Sequence, residues 1–239
     1  MAIHSRLIEY QSGDTLMEGR LFWDDASVGP QPAVAVAHTW AGRGAFEETR
    51  AQSLAEAGYV GFAVDLYGKG VRGTTPEENN ALMTPLLEDR ATLQARIAAA
   101  ITALREQDEV EASKVAAIGF CFGGLTVLDL ARSGSDVLGV ASFHGLFMPA
   151  DNLPAPSITA KVLCLHGYDD PMAAPEAMTA LGSELSEAGA DWQIHAYGNT
   201  LHAFTNPEAN APDMGLGYSE AADRRSTQAL QNFLDEIFT

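Results

Sequence analysis

Cys121 stands in Gly119-Phe120-Cys121-Phe122-Gly123-Gly124, directly after the apolar run Val115-Ala116-Ala117-Ile118. Gly-x-Cys-x-Gly between a strand and a helix is the pattern of a nucleophile elbow with cysteine in the serine position, and no Gly-x-Ser-x-Gly occurs elsewhere. A lone cysteine in a glycine-rich junction is as readily a small buried hydrophobe. Two further stretches shift that balance. Leu163-Cys164-Leu165-His166-Gly167-Tyr168-Asp169-Asp170-Pro171 delivers two acids at the end of an apolar run, and Leu201-His202-Ala203-Phe204 follows one more such run. The chain order is nucleophile, acid, histidine, as in triads whose members converge above a sheet. A thiol at a helix start is favoured as thiolate by the helix dipole, and a histidine can complete an ion pair with it. The chemistry of such a set is acyl transfer through a thioester. A thiolate, with a thiol pKa of about 8.5, leaves far better than an alkoxide, so substrates with good leaving groups are favoured: enol lactones, aryl esters or thioesters. The same thiolate could attack an aryl phosphotriester without a metal.

Short runs rich in Val, Ile, Phe and Leu predict eight strands, over 5–10, 18–23, 33–38, 59–65, 115–119, 137–143, 161–166 and 191–197. The first two alternate apolar and polar, as in a half-exposed antiparallel edge; the later ones are apolar throughout, as in strands covered on both faces. Helical periodicity fills the gaps at 47–57, at Leu93/Ile97/Ile101/Leu104, and at 125–132, 176–187 and 225–238. Alternation of strands and helices from Ala33 onwards predicts an α/β fold with a mostly parallel sheet of about eight strands and helices on both faces. Functional groups then gather at the carboxyl ends of the strands. The segment 67–85 shows no clear pattern and is expected to border the site. With no internal repeat or low-complexity tract, the chain reads as a single domain over 1–239.

Fourteen Lys plus Arg against 32 Asp plus Glu give a net charge of −18, which disfavours nucleic acid and anionic membrane surfaces as partners. No apolar stretch is long enough to span a bilayer, no signal-peptide pattern opens the chain, and two cysteines do not make a disulfide scaffold. A cytoplasmic location is expected. The composition allows a homodimer without requiring one.

These motifs resemble the dienelactone hydrolase family, α/β-hydrolases with a cysteine nucleophile. The resemblance rests on Gly-Phe-Cys-Phe-Gly-Gly, on His-Gly-x-x-Asp-Pro and on His-Ala-Phe, with Val64-Asp65-Leu66-Tyr67-Gly68, Ser142-Phe143-His144-Gly145 and the loop His38-Thr39-Trp40-Ala41-Gly42 also similar. It implies Cys121 as nucleophile, Asp170 as the acid that orients the imidazole, and His202 as the base. By analogy with elbow geometry, the backbone N–H groups of Phe122 and Trp40 would form an oxyanion hole. No cofactor or metal is implied. The expected partner is a small ester, lactone or phosphotriester. Two departures bear on specificity: the family's thiol-contacting glutamate is replaced at Thr39, and a substrate-binding arginine after the histidine is replaced at Asn206. Dienelactone itself is thereby disfavoured, and Arg72 or Arg90 could supply a replacement cation.

Other residues have plainer readings. His38, His144 and His166 are expected to satisfy groups at strand ends rather than to form a metal site with Asp169, since no His-x-x-x-His spacing occurs. Asp169 reads as a solvated turn residue, Asp65 as a strand-end turn residue, Cys164 as inert core, and His4 and His195 as outer-strand residues. A ligand receptor of the same fold and a redox-sensing thiol are the rival classes; the complete Cys/Asp/His set opposes the first, and the lack of a resolving cysteine near Cys121 opposes the second.

Overall fold

The computed structural model describes residues 2–152 and 157–239. It is an α/β fold with an eight-stranded, mostly parallel sheet in the order β1-β2-β4-β3-β5-β6-β7-β8 and with six helices among the described residues. The chain forms two compact units, Met1–Ile118 and Gly119–Thr239.

In the first unit, β1 (Ile3–Ser12) and β2 (Thr15–Asp24) form an antiparallel hairpin. β1 is the end strand and buries only Tyr10, which explains its alternating sequence. β3 (Gln31–Ala37) is buried from Ala33 on and runs parallel to β4 (Val60–Ala63), which pairs antiparallel with β2. α1 (Ala45–Glu56) is capped by the buried Glu47 carboxylate, which accepts the Gly44 N–H at 2.9 Å and the Thr39 N–H at 3.1 Å. The patternless segment contains an additional helix, α2 (Pro76–Glu88). Its sequence is weakly amphipathic, but its start carries a signal: Thr75 accepts the Glu78 N–H at 3.2 Å and Pro76 occupies the first turn. α3 (Arg90–Arg105) buries Leu93, Ile97, Ile101 and Leu104, the stripe read from the sequence. β5 (Val110–Phe120) ends in the second unit.

The second unit continues with α4 (Phe122–Arg132), β6 (Gly139–Phe143), β7 (Lys161–Gly167), α5 (Pro175–Glu187), β8 (Trp192–Tyr197) and α6 (Glu220–Ile237). β6, β7 and β8 are parallel, with Ser142 opposite Cys164 and His166 opposite Ala196. β6 is wholly buried and β7 nearly so, whereas the end strand β8 is half exposed. Between β8 and α6 lies a small hairpin of β9 (Asn210–Ala211) and β10 (Leu216–Gly217) joined by a 3-10 turn, Pro212–Met214. These two-residue strands are too short to leave a periodic signal.

Candidate active site

The buried run Val115–Phe120 passes into α4 through Cys121, whose φ of 56° and ψ of −115° lie outside the regions open to most L-residues. A residue held there costs about 1–3 kcal/mol and persists only where its surroundings fix it. The Cys121 N–H donates to the Phe143 carbonyl at 3.0 Å, and its own carbonyl accepts the Leu125 N–H at 3.2 Å. A Cβ on Gly119 would lie 2.8 Å from the Gly124 nitrogen and closer still to the Gly123 carbonyl, so only glycine lets strand and helix meet this closely. The turn delivers a free, partly exposed thiol to the amino end of α4, the positive end of the helix dipole. Phe122 is the first helical residue and is fully buried.

Asp170 follows β7 and His202 follows β8, and their side chains meet at 2.7 Å between Oδ2 and Nδ1, with Asp170 1% and His202 2% exposed. The other carboxylate oxygen accepts the Met172 N–H at 2.8 Å. Burial disfavours the imidazolium, but the negative charge of Cys121 and the hydrogen bond to Asp170 outweigh it and push His202 up to about 10. The buried Nε2 makes no hydrogen bond of ordinary geometry, and Cys121 raises the ring through its charge first and through a looser hydrogen-bonding contact second. Cys121, Asp170 and His202, widely separated in sequence, thus form one electrostatic unit.

Surrounding groups fix this unit. The His144 ring stands edge-on to His202, with centroids 5.0 Å apart, and its Nε2 bonds the Thr205 hydroxyl at 2.9 Å. His166 Nε2 donates to the Ala173 carbonyl at 2.8 Å and lies 3.9 Å from Asp170 Oδ2; burial lowers its proton affinity. Asp169 is exposed but is more than a solvated turn residue: its carboxylate accepts the Thr200 N–H at 3.1 Å, and its own N–H donates to the Thr200 carbonyl at 3.1 Å. It ties the acid's turn to the segment leading into His202. Sequence reading had no signal for that link beyond the Asp-Asp pair itself. Cys164 is fully buried, and burial raises its thiol to about 12, in keeping with inert core.

Most of the remaining residues singled out from the sequence lie in the first unit. Trp40 sits in the turn after β3, where its carbonyl accepts the Tyr67 hydroxyl at 2.9 Å. His38 bridges backbone groups, donating to the Thr39 carbonyl at 2.6 Å and accepting the Leu66 N–H at 3.1 Å. Asp65 accepts the Tyr67 and Gly68 N–H groups, the turn role expected. Of the two candidate arginines, Arg90 is 6% exposed, whereas Arg72 is exposed and packs its guanidinium over Gly44. Asn206 caps its own turn by accepting the Glu208 N–H at 3.0 Å. No helix among the described residues is long and apolar enough to cross a membrane.

An α/β sheet with a cysteine elbow and a buried Asp-His pair defines a hydrolase class, and comparison with known proteins identifies its family. The dienelactone hydrolase family model matches residues 17–238, and the chain belongs to that family. It is similar to the solved structure named m3DLH, at 39% identity and a TM-score of 0.95 over 100% of both chains. It is also similar to the dienelactone hydrolase-like promiscuous phosphotriesterase P91 from metagenomic libraries, at 37% identity and a TM-score of 0.95 over 100% of both chains. A Yersinia pestis protein provisionally named as a carboxymethylenebutenolidase is 27% identical over 213 residues, 83% of this chain and 79% of its own length. The protein is therefore a dienelactone hydrolase-like hydrolase acting on ester bonds.

Proposed function

We propose that the protein hydrolyses small activated carboxylic esters and lactones through a thioacyl intermediate on Cys121, with residues 1–239 acting as one α/β-hydrolase domain. The thiolate of Cys121 adds to the substrate carbonyl, and the resulting oxyanion is held by the Phe122 N–H at the start of α4. Collapse breaks the carbon–oxygen bond of the leaving group, which takes a proton from the His202 imidazolium. Neutral His202 then removes a proton from water as it attacks the thioester, and the Cys121 thiolate departs to restore the pair. Asp170 keeps Nδ1 protonated and Nε2 directed at the reacting atoms throughout. The observation that carries this reading is the strained Cys121 at a helix start, acting by its charge on a buried imidazole that a buried carboxylate holds at 2.7 Å.

Aryl phosphotriesters are a second substrate class, supported by the 37% identity to a chain described as a promiscuous phosphotriesterase. Thiolate attack at phosphorus with expulsion of aryloxide uses the same groups. A series of p-nitrophenyl acetate, phenyl acetate, an acyl thioester and ethyl acetate tests the proposal. Turnover should fall steeply as the leaving group becomes more basic, with ethyl acetate scarcely hydrolysed and Cys121→Ala inactive throughout. Comparable rates for ethyl and p-nitrophenyl acetate, retained in Cys121→Ala, would contradict it.

A further inference from the structure

The backbone of His202 is held from both sides by the short hairpin that follows it. Its N–H donates to the Gly215 carbonyl at 2.9 Å, and its carbonyl accepts the Gly217 N–H at 3.0 Å, a bridge that sets His202 opposite Leu216. The next residue, Ala203, has a φ of 58°, a left-handed conformation that an alanine adopts only under external constraint. Further along, the Tyr218 N–H bonds the Ala209 carbonyl at 3.0 Å and the Ser219 N–H bonds the Phe204 carbonyl at 3.1 Å, so the segment closes on itself around the histidine.

The same hairpin rests on the turn that carries the acid. Gly215 has a φ of 75°, and a Cβ there would lie 2.6 Å from Cδ of Pro171 and closer still to Cγ, but 3.6 Å from its Cβ. Pro171 directly follows Asp170, whose carboxylate is set by the Met172 N–H. The bare Cα of Gly215 therefore lets one residue touch the ring beside the acid while its carbonyl fixes the main chain of the histidine. Asp170 and His202 lie 32 residues apart, and this contact relates their backbones directly, without passing through the side-chain hydrogen bond itself.

We propose that Gly215 is a positioning residue for His202: seated against Pro171, it sets the distance between the backbones of Asp170 and His202. This rests on the catalytic reading of those two residues given above. A side chain at Gly215 must push the hairpin off Pro171 and carry the His202 backbone with it. A displacement on the order of 1 Å of a catalytic group costs about 10²-fold in rate.

The test is a cycle of Gly215→Ala, Pro171→Ala and the double variant, with Cys121→Ala and His202→Ala measured alongside. Gly215→Ala should lower kcat for p-nitrophenyl acetate by about 10²-fold, with KM changed less than about threefold, and should weaken or abolish the downfield proton resonance of His202 Nδ1–H bonded to Asp170. Adding Pro171→Ala removes Cγ and Cδ, so the double variant should regain at least about tenfold in kcat over Gly215→Ala and recover the resonance. A role in stability alone would lower Tm while leaving kcat per folded molecule and the resonance as in the wild type. That result, or a loss that Pro171→Ala does not relieve, overturns the proposal. Should Gly215→Ala fail to fold, Gly217→Pro deletes the donor to the His202 carbonyl and is expected to give the same kcat loss at steady KM; unchanged kcat in it counts against the proposal. Full turnover in Cys121→Ala and His202→Ala would instead refute the catalytic reading, and the resonance still judges the hairpin's role.

Discussion

Replacing Asp170 by asparagine is isosteric, yet the surroundings of this carboxylate make it a severe change. One oxygen accepts the Met172 N–H at 2.8 Å and the other accepts from His202 Nδ1 at 2.7 Å. An amide supplies one acceptor and one donor, so its NH₂ must face either the Met172 N–H or the imidazole N–H. Facing the Met172 N–H it leaves buried donors unsatisfied, and facing the ring it either does the same to the Nδ1–H, at about 1–3 kcal/mol, or drives the proton to Nε2 and removes the base; the charge-assisted bond also becomes a neutral one, a further loss of about 1 to 1.5 kcal/mol. Together these cost about 2–4.5 kcal/mol, which is about a 30- to 2,000-fold fall in kcat. Steady-state and stopped-flow hydrolysis of p-nitrophenyl acetate by wild type, Asp170→Asn and Asp170→Ala provides the comparison. Asparagine should be no better than alanine despite its matching shape. An Asp170→Asn enzyme within about threefold of wild type would refute the reasoning, because neither the charge nor the acceptor pair would then matter.

The protonation of His202 gives a second expectation. With its pKa raised to about 10 from an ordinary 6.5, its charge contributes stability that is complete below about pH 6.5 and is lost as pH rises through about 10; thermal melts from pH 6 to 11 should decline over the upper part of that range. In Cys121→Ala the His202 resonance followed by NMR should titrate well below about 10, since the largest cause raising it has gone; an unchanged titration would deny the coupling. Gly119→Ala should destabilise by about 1–3 kcal/mol through overpacking against α4, read from urea melts, and a neutral result would deny the close approach. Arg132 is 3% exposed and pairs with the fully buried Asp129 at 3.1 Å and with Glu184 at 2.6 Å, so Arg132→Ala should cost about 3–5 kcal/mol, whereas loss of an idle surface pair would cost less than about 1.

The pieces legible in the sequence were those whose signal is local. Apolar runs marked all eight strands of the main sheet, and Gly-x-Cys-x-Gly marked the elbow because the glycines answer to a close approach visible in the structure. The order of Cys121, Asp170 and His202 led to groups that the second unit brings together. Helix α2 lacks clear apolar periodicity, and its one local signal is the start Thr75-Pro76-Glu77-Glu78. The hairpin at 210–217 was illegible for a different reason: its strands are two residues long and its contacts, Gly215 to Pro171 and to His202, are tertiary. Asp169 is the exposed turn residue its sequence suggests, and its bond to the Thr200 N–H is a tertiary link that leaves no local signal.

The most direct test of the central claim is intact-mass spectrometry of rapidly quenched reactions of wild type and Cys121→Ala with p-nitrophenyl acetate and with an aryl phosphotriester. Wild type should release a burst of about one nitrophenol per enzyme and carry an adduct of acyl mass on Cys121 that decays at the steady-state rate, with a phosphoryl adduct on the same residue from the triester. A wild-type enzyme that turns over without any adduct, matched in rate by Cys121→Ala, would contradict the claim.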